Sequence, residues 1–329
     1  MFSIYRLPRS SIEVIGRARL ETVRGAQCKG RGHGDKDMII SASRRTDIPA
    51  FYTPWFMNRL RAGGCLVPNP FRPMQVSEVS LKSEDVDVIV FWTRHAVPLL
   101  PHLRELEERG YSFYFLYTLM NNPRVMDPGC PPLKSAIKTF QTLAEQIGPD
   151  KVIWRYDPIA ITSVTDPDYH KRAFRRIAGE LRGFTTRCII SHVHVYRKAE
   201  KRFKEKGLEC KTAGKKALGD LIRFMAGEAE NLGMEIQSCA QTVELERYGV
   251  RHGKCVDEEY IKKVFGIEVS PNKDPSQRKA CGCVKSKDIG MYDTCLYGCL
   301  YCYATGDFEK AQENYRRHDP AGPTLIPLS

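Results

Sequence analysis

Short apolar runs alternate with longer segments of helical periodicity from residue 38 onward. Several runs, such as VIVFW at 88–92, are apolar at every position, as strands buried on both faces are. The predicted strands are 38–42, 86–92, 111–117, 151–155, 187–192 and 234–238. The helices predicted between and beside them are 52–62, 98–109, 132–147, 166–181 and 214–232.

Six tandem strand–helix units predict an α/β fold in which parallel strands are joined by right-handed crossovers. Such units form either an open doubly wound sheet or a TIM-like parallel β/α barrel, full or partial. Polar residues follow nearly every predicted strand, and in a barrel the loops that carry them meet on one face. The segment 64–81 is predicted to be a hairpin insertion. We therefore favour the TIM-like barrel.

The regular alternation ends near residue 243. The stretch 244–265 is predicted to be helical with breaks at its glycines, and a polar linker leads from there into a cysteine-rich segment. A last short helix is predicted at 308–317. The predicted parts are a flexible basic extension, the β/α barrel and a C-terminal cysteine-rich segment, at 1–37, 38–265 and 266–329.

Charge and composition narrow the class of protein. The formal net charge is +12, and residues 1–37 supply +4 of it, with eight Lys or Arg minus four Asp or Glu. That extension is either a flexible tail or sequence upstream of a natural start at Met38. A basic balance permits contact with nucleic acid, but it is also a common feature of soluble proteins.

No apolar stretch approaches the ~20 residues of a membrane span, and the first residues lack the apolar block of a secretory signal. We expect a cytoplasmic protein with no membrane partner, whose twelve cysteines are reduced thiols. Five of the twelve fall within 281–302, and such clusters in cytosolic proteins usually bind metal.

The strongest motif is Cys295, Cys299 and Cys302, spaced as CxxxCxxC. Three thiolates can hold three corners of a 4Fe–4S cluster. Because no fourth cysteine follows Cys302, the fourth iron is left open to bind a ligand. The alternative is zinc, which normally takes four protein ligands, often in Cys-x-x-Cys pairs, and the three-residue gap fits that pattern less well.

This motif resembles the signature of the radical S-adenosylmethionine superfamily, in which an aromatic residue, here Tyr301, precedes the last cysteine. The resemblance implies a 4Fe–4S cluster whose open iron binds S-adenosylmethionine and cleaves it reductively to a 5′-deoxyadenosyl radical. It also implies a partial or full β/α barrel. In most members the motif follows the first strand, whereas here it follows all six strand–helix units, and no Gly-Gly-Glu-like segment is present.

A second resemblance covers nearly everything from residue 38 onward. The segments SASRRTDIPAFY, WRYDP, QRKACGCVKSKDIGMYDTCLYGCLYCYA and NYRRHDP are similar to the family called domain of unknown function 1848. That resemblance implies a radical enzyme and names no substrate.

Four further cysteines, Cys239, Cys255, Cys281 and Cys283, can supply a second, fully ligated site. It would hold either an auxiliary iron–sulfur cluster or zinc, and would attach the C-terminal segment to the barrel or pass electrons to the first cluster. The alternative is that Cys239 and Cys255 are unliganded strand and loop thiols. The remaining cysteines are expected to be unliganded; they are Cys28, Cys65, Cys130, Cys188 and Cys210.

The loops after the strands supply candidate catalytic residues: Arg44, Asp47, Arg155, Asp157 and His192. Arg44 can grip a carboxylate or phosphate, or else form an ion pair with Asp47. Asp157 can hold ribose hydroxyls. His192 and His194 share a face if the strand continues past His192. Trp92 is expected in the core, and the basic run 197–206 is a solvated face unless nucleic acid binds there.

The first functional hypothesis is a radical S-adenosylmethionine enzyme that acts on a small-molecule or nucleic-acid substrate and takes electrons from a donor such as flavodoxin or ferredoxin. Because CLYGCLYCYA also resembles spore photoproduct lyases, a DNA lesion or an RNA base is among the substrates that this first hypothesis allows. The second hypothesis is a nucleic-acid-binding or repair protein with a structural cluster. The third is an electron carrier, which needs no substrate chamber.

Overall fold

The computed structural model describes residues 38–210, 214–241 and 244–328, so the predicted extension at 1–37 lies outside the described residues. The strands are β1 (Ile39–Ala42), β2 (Gly64–Asn69), β3 (Arg72–Ser80), β4 (Val88–Thr93), β5 (Phe113–Thr118), β6 (Val152–Ile159), β7 (Arg187–His192), β8 (Glu235–Cys239), β9 (Arg251–Gly253) and β10 (Lys287–Asp288). The helices are α1 (Ile48–Phe51), α2 (Thr53–Ala62), α3 (Leu103–Glu108), α4 (Leu133–Ile147), α5 (Pro167–Glu180), α6 (Arg197–Glu205), α7 (Lys215–Asn231), α8 (Glu258–Phe265) and α9 (Phe308–Arg317).

Eight strands form one sheet in the order β10-β1-β4-β5-β6-β7-β8-β9, and every neighbouring pair is parallel. The predicted α/β class, all six predicted strands and the antiparallel β2–β3 hairpin are confirmed. Within the described ranges no pairing joins β10 to β9, so a closed barrel is not confirmed. The structure shows a large parallel sheet.

Alternate residues of each strand point to opposite faces of this sheet. Phe91, Phe115 and Trp154 belong to the core on the face covered by most of the helices. Val90 and Leu116 face the other way. That second face is covered by α8 and by the segments that carry the second group of cysteines. The C-terminal part of the chain therefore completes the core.

The stretch 244–265, predicted to be helical, instead contains β9 and then α8. Helix α8 begins where the Asp257 side chain accepts hydrogen bonds from two backbone N–H groups, a common N-cap arrangement. Strand β10 has only two residues, too few for a period in the sequence. None of the helices described is long and apolar enough to cross a membrane.

The prediction that 197–206 is a solvated basic face is wrong for three of its ten residues. The run forms α6, and Ala199, Arg202 and Phe203 on it are buried. A helix presents residues three and four apart on one face, so these three side chains pack inward together. Two neighbouring lysines, Lys201 and Lys204, remain exposed.

His170 gives the fold a pH dependence that can be measured. Its Nδ1 lies 2.8 Å from the Tyr156 hydroxyl and its Nε2 lies 3.1 Å from the Ala160 carbonyl oxygen. Burial lowers the pKa of His170 to about 4. Because the unfolded chain binds the proton more tightly, this stabilisation is present above about pH 6.5 and is lost as the pH falls towards 4.

We expect the free energy of unfolding to fall by about 3 kcal/mol from this residue alone across that range. A His170→Gln variant keeps a donor for the Ala160 carbonyl but does not titrate. Urea unfolding of both proteins between pH 4.5 and 7 measures the difference. If the free energy of unfolding changes with pH in the same way for both proteins, the lowered pKa assigned to His170 is contradicted.

Candidate metal and cofactor site

A cavity of about 620 Å³ lies at the carboxyl ends of the parallel strands. Pockets that hold cofactor-sized ligands span roughly 300–1,000 Å³. Every candidate site residue named from the sequence lines this cavity: Arg44, Asp47, Arg155, Asp157, His192, Tyr301 and Cys239, Cys255, Cys281, Cys283, Cys295, Cys299 and Cys302. The structure therefore brings residues from both ends of the described chain into one chamber.

The loop that carries Cys295, Cys299 and Cys302 is bound to the loop that follows β5. The Leu300 N–H donates to the Met126 carbonyl at 3.0 Å, and the Gly129 N–H donates to the Tyr297 carbonyl at 2.9 Å. A Cβ atom at Gly129 would lie 2.8 Å from that carbonyl oxygen. Only glycine therefore permits so close an approach of the two backbones.

Arg202 of α6 holds the other end of the same loop. Its guanidinium donates to the carbonyls of Cys302 at 3.1 Å and Gly306 at 2.9 Å, and also to that of Thr305. The Thr305 N–H lies 3.4 Å from the Cys302 sulfur, and such bonds orient and tune a metal-binding thiolate. The buried face of α6 thus supports the cysteine loop.

The three cysteines of the motif do not form a compact group among the described residues, because their sulfur atoms do not all lie within 4.8 Å of one another. In a 4Fe–4S cubane each thiolate binds a different iron, so the three sulfur atoms do not need to lie within 4.8 Å of one another. Burial raises the pKa of Cys295, and contact with Cys130 together with burial raises the pKa of Cys299. Metal binding would therefore have to displace protons.

The hydroxyl of Tyr301 forms hydrogen bonds with three protein side chains. It donates to Asp127 Oδ2 at 2.8 Å and accepts from the Arg94 guanidinium and from Asn122 Nδ2, the latter at 3.3 Å. The Arg94 guanidinium also lies over the Tyr301 ring, 5.8 Å from its centroid. Tyr301 therefore positions the cysteine loop through its hydroxyl and presents its ring to the cavity.

Cys130, which the sequence marked as unliganded, lies beside the motif. Its sulfur is 3.8 Å from the Cys299 sulfur and 3.3 Å from Arg94 Nη1. The contact with Cys299, helped by the Arg94 charge, lowers the pKa of Cys130 against the effect of burial. Asp127, Cys130 and Cys299 form a compact set, but Arg94 already supplies a cation to Asp127 at 3.1 Å.

Asp47 caps a helix instead of pairing with Arg44. Its Oδ1 accepts from the Ala50 N–H at 3.0 Å and its Oδ2 accepts from the Arg94 N–H at 2.7 Å. Burial raises the pKa of Asp47 to about 6. The alternative of an Arg44–Asp47 ion pair is therefore wrong, because both oxygens of Asp47 are used by backbone amides.

Arg44 and Arg155 both lie against Trp92. Their guanidinium carbons are 5.0 Å and 4.8 Å from the centroid of the Trp92 ring. Arg155 pairs with Asp157, which also accepts from the Ser191 hydroxyl. The expectation that Trp92 is a core residue is met in part, because it is partly buried and packs against the second core cluster, and it also lines the cavity.

Three donors on these side chains are buried and have no hydrogen-bond partner among the described residues, namely Arg44 Nη2, Arg155 Nε and Trp92 Nε1. Buried polar groups are almost always hydrogen-bonded. Three unpaired donors on residues that line one cavity therefore favour an acceptor-bearing or anionic ligand there. Arg44 itself is held by Ser286, at 2.8 Å from Nη1.

His192 is the last residue of β7 and lines the cavity. Its Nε2 is buried without a partner, and burial lowers its pKa. His194 lies beyond the strand, is exposed, and contacts the Tyr196 ring at 4.7 Å between centroids. Because β7 ends at His192, the two histidines are not held on one face by a regular strand.

The second group of cysteines is brought together by three separate parts of the fold. Cys239 ends β8, Cys255 follows β9, and Cys281 and Cys283 precede β10. The sulfur atoms of Cys239, Cys281 and Cys283 lie within 4.8 Å of one another. The Cys255 sulfur lies 3.2 Å from that of Cys239.

Comparison with known proteins identifies a family but no activity. The model of the family described as "Domain of unknown function (DUF1848)" matches residues 39–304. No curated protein sequence matches the chain. A crystal structure described as that of "a putative alpha-L-fucosidase" from Bacteroides thetaiotaomicron is 11% identical over 72% of this chain and 83% of that chain, with a TM-score of 0.25. So low a score carries no argument about this protein.

The family match includes every cysteine of both groups and nearly all of the strands described above. It confirms the resemblance to the domain of unknown function 1848 family that the sequence shows. The chain belongs to the DUF1848 family.

Proposed function

We propose that this protein is a radical S-adenosylmethionine enzyme that holds a 4Fe–4S cluster on Cys295, Cys299 and Cys302. One observation carries the proposal: these three thiols line the same cavity as the polar loop residues of the parallel sheet. A ligand on an open iron would then lie inside a chamber large enough for a cofactor and a small substrate. An electron carrier has no need of such a chamber.

The residues present fit the implied cofactors. Three soft thiolates are the ligands that iron–sulfur clusters take, and the loop that bears them is bound at both ends by backbone and Arg202 contacts. When bound, the reduced cluster supplies the electron that cleaves S-adenosylmethionine and yields a 5′-deoxyadenosyl radical. The protein's own part is to hold the cofactor and exclude water.

Arg44, Arg155 and Asp157, which line the same cavity as the motif, suit a ligand that carries a carboxylate and hydroxyls. The unpaired N–H groups of Arg44 and Arg155 can donate to a carboxylate, and guanidinium–carboxylate contacts are among the stronger hydrogen bonds. Asp157 lines the same cavity and accepts from Arg155 and Ser191, which holds it ready to accept from ribose hydroxyls. We propose small-molecule or nucleic-acid substrates and a flavodoxin- or ferredoxin-type electron donor.

The test is electron paramagnetic resonance of anaerobically reconstituted, dithionite-reduced protein with and without S-adenosylmethionine. We expect a reduced 4Fe–4S signal that changes when the cofactor is added, because the cofactor binds an iron. Release of 5′-deoxyadenosine and methionine should accompany it. A cluster whose signal is indifferent to the cofactor would exclude the proposal.

Cys130 favours one competing function. With its sulfur 3.8 Å from that of Cys299, a small movement of its loop would let it close the cluster with a fourth thiolate. A closed cluster binds no cofactor and fits an electron carrier or a structural cluster. The spectroscopic experiment separates the two functions, because only an open iron responds to S-adenosylmethionine.

A further inference from the structure

We infer that Cys239, Cys255, Cys281 and Cys283 form a closed tetrathiolate site for a single divalent ion, and that the ion is zinc. The inference rests on the geometry of this group and not on the proposed function. It decides between the two alternatives left open by the sequence, an auxiliary iron–sulfur cluster and zinc.

The spacing of the sulfur atoms fits one ion. Zinc–thiolate bonds are about 2.3 Å long, so a tetrahedral site places its sulfur atoms about 3.8 Å apart. Three of the four sulfur atoms lie within 4.8 Å of one another, and the fourth lies 3.2 Å from Cys239. A cubane needs its thiolates farther apart, because each binds a different iron, and this group leaves no such room.

The surrounding backbone is arranged as in other thiolate sites. The N–H groups of Cys255 and Val256 point at the Cys283 sulfur, at 3.3 Å and 3.4 Å. Such amide contacts orient a thiolate ligand and offset part of its charge. All four cysteines are buried, with exposures of 8%, 1%, 6% and 1% in chain order, and four thiolates fill the four positions of a tetrahedral structural site.

The charges near the group also fit. One divalent ion with four thiolates carries a net charge of −2, which is costly to bury unless cations lie close by. Arg44 interacts electrostatically with Cys283 and Cys255, and Arg155 with Cys255 and Cys239. These two buried guanidinium groups, of which Arg155 also pairs with Asp157, offset part of the negative charge of the site.

The ion would fix the C-terminal part of the chain to the sheet. It joins the ends of β8 and β9 to the segment before β10, where the Val284 N–H already donates to the Val256 carbonyl at 3.1 Å. Strand β10 carries Asp288, which accepts from the Ser43 hydroxyl at 2.6 Å and from the Arg44 N–H at 2.8 Å. The ion therefore supports the residues that shape the cavity.

The test is metal analysis of the full chain, purified without iron–sulfur reconstitution. We expect about one zinc per chain, and X-ray absorption at the zinc edge should show four sulfur neighbours at about 2.3 Å. Cys283→Ser should lower the zinc content at least tenfold. The matched control is Cys188→Ala, a buried strand thiol of the other core, which should keep its zinc.

Cys299→Ala should also keep the zinc, so failure of the proposed cluster and failure of this site are distinguishable. The absorption spectrum of the wild-type protein decides the case even if Cys283→Ser does not fold. Iron and sulfide near two cubanes per chain after reconstitution, with iron–iron scattering retained in Cys299→Ala, would overturn the inference. So would zinc with nitrogen or oxygen neighbours, or wild-type protein with no zinc.

Discussion

Cys299→Ala is expected to abolish both the reduced-cluster signal and cleavage of S-adenosylmethionine, whereas Cys130→Ala should retain both. Loss of groups that only support metal ligands costs about 10–100-fold in metal affinity or activity, and loss of a ligand should cost more. Cys130 is the matched control, because its sulfur lies only 3.8 Å from that of Cys299.

The distance between these two sulfur atoms argues that Cys130 is not a corner of the cubane. Thiolates about 3.8 Å apart have the spacing of two ligands on one ion, while corners of a cubane lie on different irons. Cys130 is also held by Arg94 Nη1 at 3.3 Å. It is therefore placed to accept a hydrogen bond from Arg94, as we expect of a cysteine that is not a ligand of the proposed cluster.

The measurement is iron content, electron paramagnetic resonance and 5′-deoxyadenosine release for wild type and both variants after identical anaerobic reconstitution. If Cys130→Ala loses its cluster as Cys299→Ala does, four cysteines bind it. The wild-type signal should then ignore S-adenosylmethionine, and the electron-carrier function would replace the enzyme.

Arg94→Met is expected to lower the free energy of unfolding by about 3–5 kcal/mol, the usual cost of removing one partner of a buried ion pair. Arg94 and Asp127 have side-chain exposures of 13% and 5%, and their nitrogen and oxygen atoms are 3.1 Å apart. The change leaves the Asp127 carboxylate buried without its cation. It also removes the donor to the Tyr301 hydroxyl.

The double variant Arg94→Met/Asp127→Asn should recover part of the loss, because it no longer buries an unpaired charge. The control is Arg104→Met, whose exposed pair with Glu108 should contribute less than about 1 kcal/mol. Urea unfolding at pH 7 of wild type, Arg94→Met, Asp127→Asn and the double variant gives the coupling energy, and Arg104→Met is measured beside them. Equal effects of Arg94→Met and Arg104→Met would show that the buried network does not stabilise the fold.

The six main strands and most of the helices were predictable because their signal is local. A run such as VIVFW at 88–92 is apolar throughout, since β4 is buried on both faces. The signal of the CxxxCxxC motif is also local, because its three cysteines lie a few residues apart on one loop. The family resemblance rested on such contiguous segments, and its match over 39–304 confirms it.

Long-range contacts, by contrast, left no pattern in the sequence. Cys130 reaches Cys299 from 169 residues away, and Arg202 reaches the carbonyl of Cys302 from 100 residues away. Strand β10 is two residues long and exists only through its pairing with β1. No window of sequence contains both members of any of these pairs.

The amino-acid sequence alone thus determined the β/α order of the chain and the three-cysteine motif, because hydrophobic periods and ligand spacings are properties of neighbouring residues. The tertiary structure decided that the sheet is an eight-stranded parallel one without a described closing pair. It also placed Trp92 against two guanidinium groups. It brought the sulfur atoms of Cys239, Cys281 and Cys283 within 4.8 Å of one another and that of Cys255 to 3.2 Å from Cys239. These features depend on which loops meet at the carboxyl ends of the strands, and packing of the whole chain sets that.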